Sequence, residues 1–180
     1  YDSRAALARK RKPADHYNSV LAYYGTWLRE IAITNGYGFV NMWGPLNQLT
    51  LQQRKTDPDF TMIKDAVHPG AAGQLVMAYA IIDDMGLRGA ISNIRAVISP
   101  NGKCRVGGAG GKATDIENSD TTLGFTWTAN SLPWVVPAEA QPGSDLVKLG
   151  HRASREGLGV YGLSPGKYEL SIDDQVVGTY

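Results

Sequence analysis

The sequence predicts an α/β segment over residues 1 to 90, followed by a small antiparallel β domain over residues 91 to 180. Three observations carry this. Before residue 90, apolar residues recur at helical period in two long runs, with a short apolar run between them. After Leu87 the pattern changes to the alternation of strands, broken by turn signals. The composition is that of a folded chain, with 180 residues, 43% hydrophobic and 19% charged.

The first helix opens near Asp15 or Asn18, either of which can cap it. It carries Val20, Leu21, Tyr24, Trp27, Leu28 and Ile31 as one apolar stripe, and Asn35-Gly36 stops it. Tyr37 to Met42 reads as a short buried strand centred on Phe39 and Val40. Trp43-Gly44-Pro45 ends that strand. Leu46 to Lys55 is expected as a short helix, and Asp57-Pro58-Asp59 as a loop. The last helix of this half runs from about Gly70 to Met85, with Gly86 as terminator. Helix, strand, helix, loop and helix suit the end of an open α/β sheet, where chemistry gathers at the carboxyl ends of strands.

In the second half, Ile91 to Ile98 favours strand. Leu123-Gly124-Phe125-Thr126-Trp127 alternates large apolar residues with small ones. Lys167 to Ile172 alternates cleanly, and Gln175 to Tyr180 follows across a two-residue turn at Asp173-Asp174. A sandwich-like antiparallel domain is the expectation. The last strand stops abruptly at Tyr180.

The net charge of +1 implies no strong pull on nucleic acid. The basic run Arg9-Lys10-Arg11-Lys12 ends at Pro13 and reads as a solvated linker or helix end. Cys104 is the single cysteine, so an intrachain disulfide is excluded. No signal peptide or long apolar run is present, and no membrane partner is expected.

Asp65-Ala66-Val67-His68-Pro69 is the stretch that carries chemistry. A carboxylate three residues before a histidine can orient an imidazole and stabilise its protonated form, as nucleophilic hydrolysis requires. A bare D-x-x-H also arises as a helix-start aspartate beside a packing histidine. The wider string Phe60-Thr61-Met62-Ile63-Lys64-Asp65-Ala66-Val67-His68-Pro69, with Gly73-Gln74 and the small-residue helix behind it, resembles the last catalytic block of the SGNH (GDSL-type) hydrolases. The resemblance covers residues 15 to 90. It implies the C-terminal part of a flavodoxin-like α/β/α domain and makes Asp65 and His68 the Asp and His of a Ser-Asp-His triad. It further implies acyl-ester hydrolysis, carbohydrate O-acyl esters among the substrates, no cofactor and no metal, and a secreted or periplasmic setting.

The chain departs from that family at its other blocks. The G-D-S nucleophile block and the Gly and Asn oxyanion donors are not recognisable. Tyr1-Asp2-Ser3 lacks the preceding glycine and an apolar strand, and Thr34-Asn35-Gly36 reads as a helix end. The serine and the oxyanion donors are therefore expected from a missing N-terminal half of the same enzyme. The other reading from a different class is a non-catalytic β-sandwich binding or structural module, with Trp127, Trp134, Tyr161 and Tyr168 available to a polysaccharide or partner.

Three further motifs carry less. Gly107-Gly108-Ala109-Gly110-Gly111-Lys112-Ala113 lacks the first glycine and the Ser/Thr of a phosphate loop, because Val106 and Ala113 stand there. It reads as a flexible glycine loop. His16, His68, His151 and Cys104 have no zinc-ligand spacing. His151, beside Arg152 and Arg155, reads as surface, and Trp134 as core with a sugar-stacking alternative.

Overall fold

The computed structural model describes residues 1–14 and 16–180 and is a mixed α/β structure. The chain divides into two compact units. One comprises Tyr1–Ile91 with Leu132–Glu156, and the other Ser92–Ser131 with Gly157–Tyr180.

The first unit is helical. It contains α1 (Ser3–Ala8), α2 (Tyr17–Thr34), α3 (Trp43–Gln53), α4 (Ala71–Asp84), a 3₁₀ turn (Ala138–Ala140), α5 (Gln141–Val147) and α6 (Leu149–Arg152). Its core gathers Leu46 from α3, Met62 and Ile63 from the following loop, and Leu75, Val76 and Tyr79 from α4. Val147 of α5 and Leu149 of α6 close it. Burying such side chains contributes roughly 1.5–3 kcal/mol each. Helix α5 reaches α4 closely because residue 143 is glycine; a Cβ there would stand 2.3 Å from the Ala72 carbonyl oxygen.

Helix α2 ends where expected. Gly36 takes φ 70°, and the Tyr37 N–H donates to the Ala32 carbonyl, the wrap that a left-handed glycine permits. Of the two expected caps, Asp15 lies outside the described residues. Asn18 is not a cap; it sits within α2, and its Nδ2 donates to the Tyr1 carbonyl at 2.8 Å.

Several expectations are corrected here. Tyr37–Met42 forms no strand, because a strand needs a hydrogen-bonded neighbour and the described residues offer none. Trp43-Gly44-Pro45 opens α3 instead of ending a strand, since proline is tolerated in a first helical turn. Residues 138–152 are helical and belong to the first unit, so residues 91–180 are not β throughout. The residues before the basic run form α1, which ends at Ala8 with Arg9 as its C-cap, so of the two readings of Arg9–Lys12 its start is a helix end.

The second unit contains β1 (Ala90–Ile98), β2 (Cys104–Ala109), β3 (Gly111–Asn118), β4 (Leu123–Ala129), β5 (Arg155–Tyr161), β6 (Glu169–Ile172) and β7 (Gln175–Thr179). The first residues of β1 and β5 fall within the first unit. In place of two packed sheets, the described strands form a three-stranded sheet, β2-β1-β5, and the two-stranded ladders β3-β4 and β6-β7. The glycine loop is largely strand: β2 and β3 flank Gly110, with β2 paired antiparallel to β1 and β3 to β4. Asp173 and Asp174 take φ 49° and 61° between paired Ile172 and Gln175, the left-handed pair of a tight hairpin turn. Trp127 is tied into this unit, its Nε1 donating to the buried Ser92 Oγ at 3.0 Å.

Candidate active site

Asp65 and His68 lie on the loop between α3 and α4, immediately before α4 begins. His68 Nδ1 stands 2.7 Å from Asp65 Oδ2. The other carboxylate oxygen, Oδ1, accepts the backbone N–H of Val67 at 2.9 Å and of His68 at 2.7 Å. One aspartate thus holds both the ring and the backbone of the histidine. The hydrogen bond from the His68 ring, foremost, and those from the His68 and Val67 N–H groups hold the Asp65 carboxyl well below the usual carboxylate range.

The pair faces solvent. The His68 side chain is 82% exposed and that of Asp65 36%. His68 Nε2 makes no hydrogen bond among the described residues; in the tautomer that carries its proton on Nδ1, Nε2 is the ring's free acceptor. An imidazole held this way can act as a general base toward a group that reaches Nε2.

The loop itself is braced from below. Ala66 is buried and takes φ 79°, a left-handed conformation that costs a non-glycine residue about 1–2 kcal/mol. Its N–H donates to the Ile63 carbonyl, and its own carbonyl accepts the Asp2 N–H, each at 2.9 Å. It packs against Ala5 and Ala6 of α1. The Gly70 N–H donates to the Met62 carbonyl at 2.9 Å and closes the loop onto α4.

Asp2 organises this support, and the sequence reading did not assign it that part. Its Oδ1 accepts the N–H groups of Arg4 and Ala5 and caps α1. Its Oδ2 accepts the Thr61 hydroxyl at 2.5 Å and Arg54 Nη2 at 2.6 Å. Arg54 Nε donates in turn to the Phe60 carbonyl at 2.9 Å. Burial alone would raise the Asp2 carboxyl; the bonds from Thr61, Ala5 and Arg54, with the Arg54 charge, outweigh it and leave the group below its ordinary value. The available signal was an aspartate before Ser-Arg-Ala-Ala, the signature of a helix cap.

The other candidates stay apart from this constellation in role. Ser3 is the first residue of α1, and Thr34-Asn35-Gly36 is the end of α2. His16 precedes α2, and His151 is exposed in the last turn of α6. Trp134 is 38% exposed, so it is only partly a core residue. Among the described residues no group of three His, Cys, Asp or Glu side chains could hold a metal ion, and no helix is long and apolar enough to cross a membrane.

No family model and no curated protein matches the chain. Among solved structures it is similar to a gut microbial diltiazem-metabolizing enzyme, with a TM-score of 0.78 and 25% sequence identity. The match covers 94% of this chain and 40% of that one. This chain therefore shares a mixed α/β fold with part of an enzyme more than twice the matched length.

Proposed function

We propose that this chain supplies the Asp and His of a Ser-Asp-His triad in an SGNH-like esterase. The serine and the oxyanion donors come from a segment outside these residues. The single observation that carries the reading is the contact of 2.7 Å between His68 Nδ1 and Asp65 Oδ2, with the imidazole otherwise open. The similarity to a diltiazem-metabolizing enzyme supports an enzymatic role for the fold.

In the proposed reaction His68 Nε2 accepts the proton of the serine hydroxyl as Oγ attacks the ester carbonyl carbon. Asp65 keeps the proton on Nδ1 and stabilises the imidazolium. The tetrahedral intermediate collapses, the C–O bond to the alcohol breaks, and His68 returns the proton to the leaving oxygen. Water attacks the acyl-serine by the same route and releases the carboxylic acid. Substrates are acyl esters, with carbohydrate O-acyl esters as one class.

The test uses the longer enzyme, assayed with p-nitrophenyl acetate, diltiazem and an acetylated oligosaccharide. His68→Ala should lower kcat by orders of magnitude. Asp65→Asn should lower it about 10⁴-fold, the precedent for a triad aspartate. The His68→Ala melt should move little, because the side chain is largely exposed; Asp65→Asn keeps an Oδ1 acceptor for the Val67 and His68 N–H groups, and its melt serves as the control for the loop. Near-normal turnover in His68→Ala, with an unchanged melt, would make the histidine structural and favour a non-catalytic module.

A further inference from the structure

The apolar stripe of α2 has no cover among the described residues. Leu21, Tyr24, Trp27, Leu28 and Ile31 are all exposed, Tyr24 by 55% and Trp27 by 51%, and Ala32 alone is buried in this 18-residue helix. A stripe at this spacing is built to face a core. The helix is tethered at its first turn, where Asn18 bonds the Tyr1 carbonyl and the Tyr17 ring meets that of Tyr1 at 5.3 Å.

The segment that follows is equally incomplete. Tyr37–Met42 is neither helix nor strand, and among the described residues the backbone groups of Gly38, Phe39 and Val40 have no hydrogen-bond partner. Gly38 is exposed and Phe39 and Val40 are half-buried; buried backbone donors and acceptors are paired almost without exception, so whatever covers this segment must also bond it. Phe39 and Val40 are consecutive, so in an extended strand they point to opposite faces. Two adjacent apolar residues ask for cover on both faces, the signature of a strand inside a sheet with helices on either side. Asn18 adds a third sign: its Oδ1 is buried with no partner among the described residues, and it lines a cavity of about 400 Å³ with Trp43, Leu46 and Asn47.

We infer that α2 and Tyr37–Met42 form the docking face for one occupant, a strand-bearing α/β segment of the same protein. That segment pairs with Gly38–Val40 through its backbone and covers the α2 stripe with the side chains of its sheet. The structural neighbour argues for this occupant over a second copy, since 40% of its chain is matched and the remainder belongs to one continuous chain. An edge-to-edge pair of identical chains would supply a strand partner without the second covering layer. The inference builds on the proposed division of the triad, and specifies where the nucleophile-bearing part must sit.

Amide exchange of Gly38, Phe39 and Val40 tests this in two proteins. One is the chain from Tyr1 to Tyr180, and the other is the same chain extended through the coding sequence that precedes Tyr1. Exchange at these amides should slow about a thousandfold or more in the longer protein, as for a strand that opens only with the fold. Acrylamide quenching of tryptophan should fall with it. Equal exchange in both proteins overturns the inference, as does a preceding sequence with no α/β pattern. Protection that appears in the shorter chain with rising concentration and dimer mass also overturns it, in favour of self-association. The two readings fail separately. Protection by a segment without a nucleophilic serine keeps the docking face and removes the esterase. Turnover that depends on His68, with these amides unprotected, keeps the esterase and removes the docking face.

Discussion

At the scale of single residues, the aspartate of the pair is set to remain ionised. Its folded-state value is depressed, so its contribution to stability is present above the ordinary aspartate value of about 3.9 and is lost only as pH falls through the lower folded value. A carbon-13 titration of the Asp65 carboxyl should show a midpoint below the ordinary aspartate value, and His68→Ala should move that midpoint up. A midpoint at the ordinary value in the native chain would mean the hydrogen bonds to His68 are not made in solution. Asp2 is a different case, because it is buried and paired with Arg54. Asp2→Ala leaves that guanidinium without its partner and removes a helix cap, and should cost about 3 kcal/mol in urea unfolding. The Asp65–His68 pair was legible in the sequence because each of its bonds spans two or three residues. The Asp2 network was not, since Arg54 and Thr61 lie 52 and 59 residues away.

At the scale of elements, legibility followed how much each element depends on distant partners. Helices α2 and α4 carry their own periodicity and stop signals, and both were readable. The strand expected at Tyr37–Met42 was readable only as a tendency, because pairing is a property of two segments. Helices α5 and α6 are too short to show a periodicity of their own; what holds them is burial of Val147 and Leu149 against the first-unit core. The contact of α5 with α4 gives a direct test. Gly143→Ala gains up to about 1 kcal/mol of helix propensity, yet forces its Cβ into the Ala72 carbonyl and should lose about 1–2 kcal/mol net. Gly150→Ala, in α6, meets nothing within 4 Å and should be neutral or mildly stabilising. Thermal melts of the two variants, read side by side, test the close approach.

At the scale of the whole molecule, the change of texture near residue 90 reported a shift from helix-rich to strand-rich sequence. It could not report that residues 132–156 return to the first unit, because nothing local in Pro137 to Arg152 names Ala72 or Val76 as partners. The proposed division of the triad is likewise tested on this chain by itself. Alone, it should show no turnover of p-nitrophenyl acetate above buffer, since nucleophile and base act as a unit. Robust turnover abolished by Ser3→Ala would place the nucleophile at the start of α1 and overturn the proposed division.

The return of residues 132–156 has a consequence for the order of events during synthesis. The polypeptide passes between its two units three times, after Ile91, Ser131 and Glu156. When α4 leaves the ribosome, the α5 surface it needs is still unmade, and strands β1 to β4 must emerge first. The first unit therefore cannot close in the order in which it is written. Its core waits, with Val76 and Tyr79 uncovered on that side, until the chain has moved on and come back. A pause or an added tag within residues 92–131 would lengthen that wait without touching any residue of the core it delays.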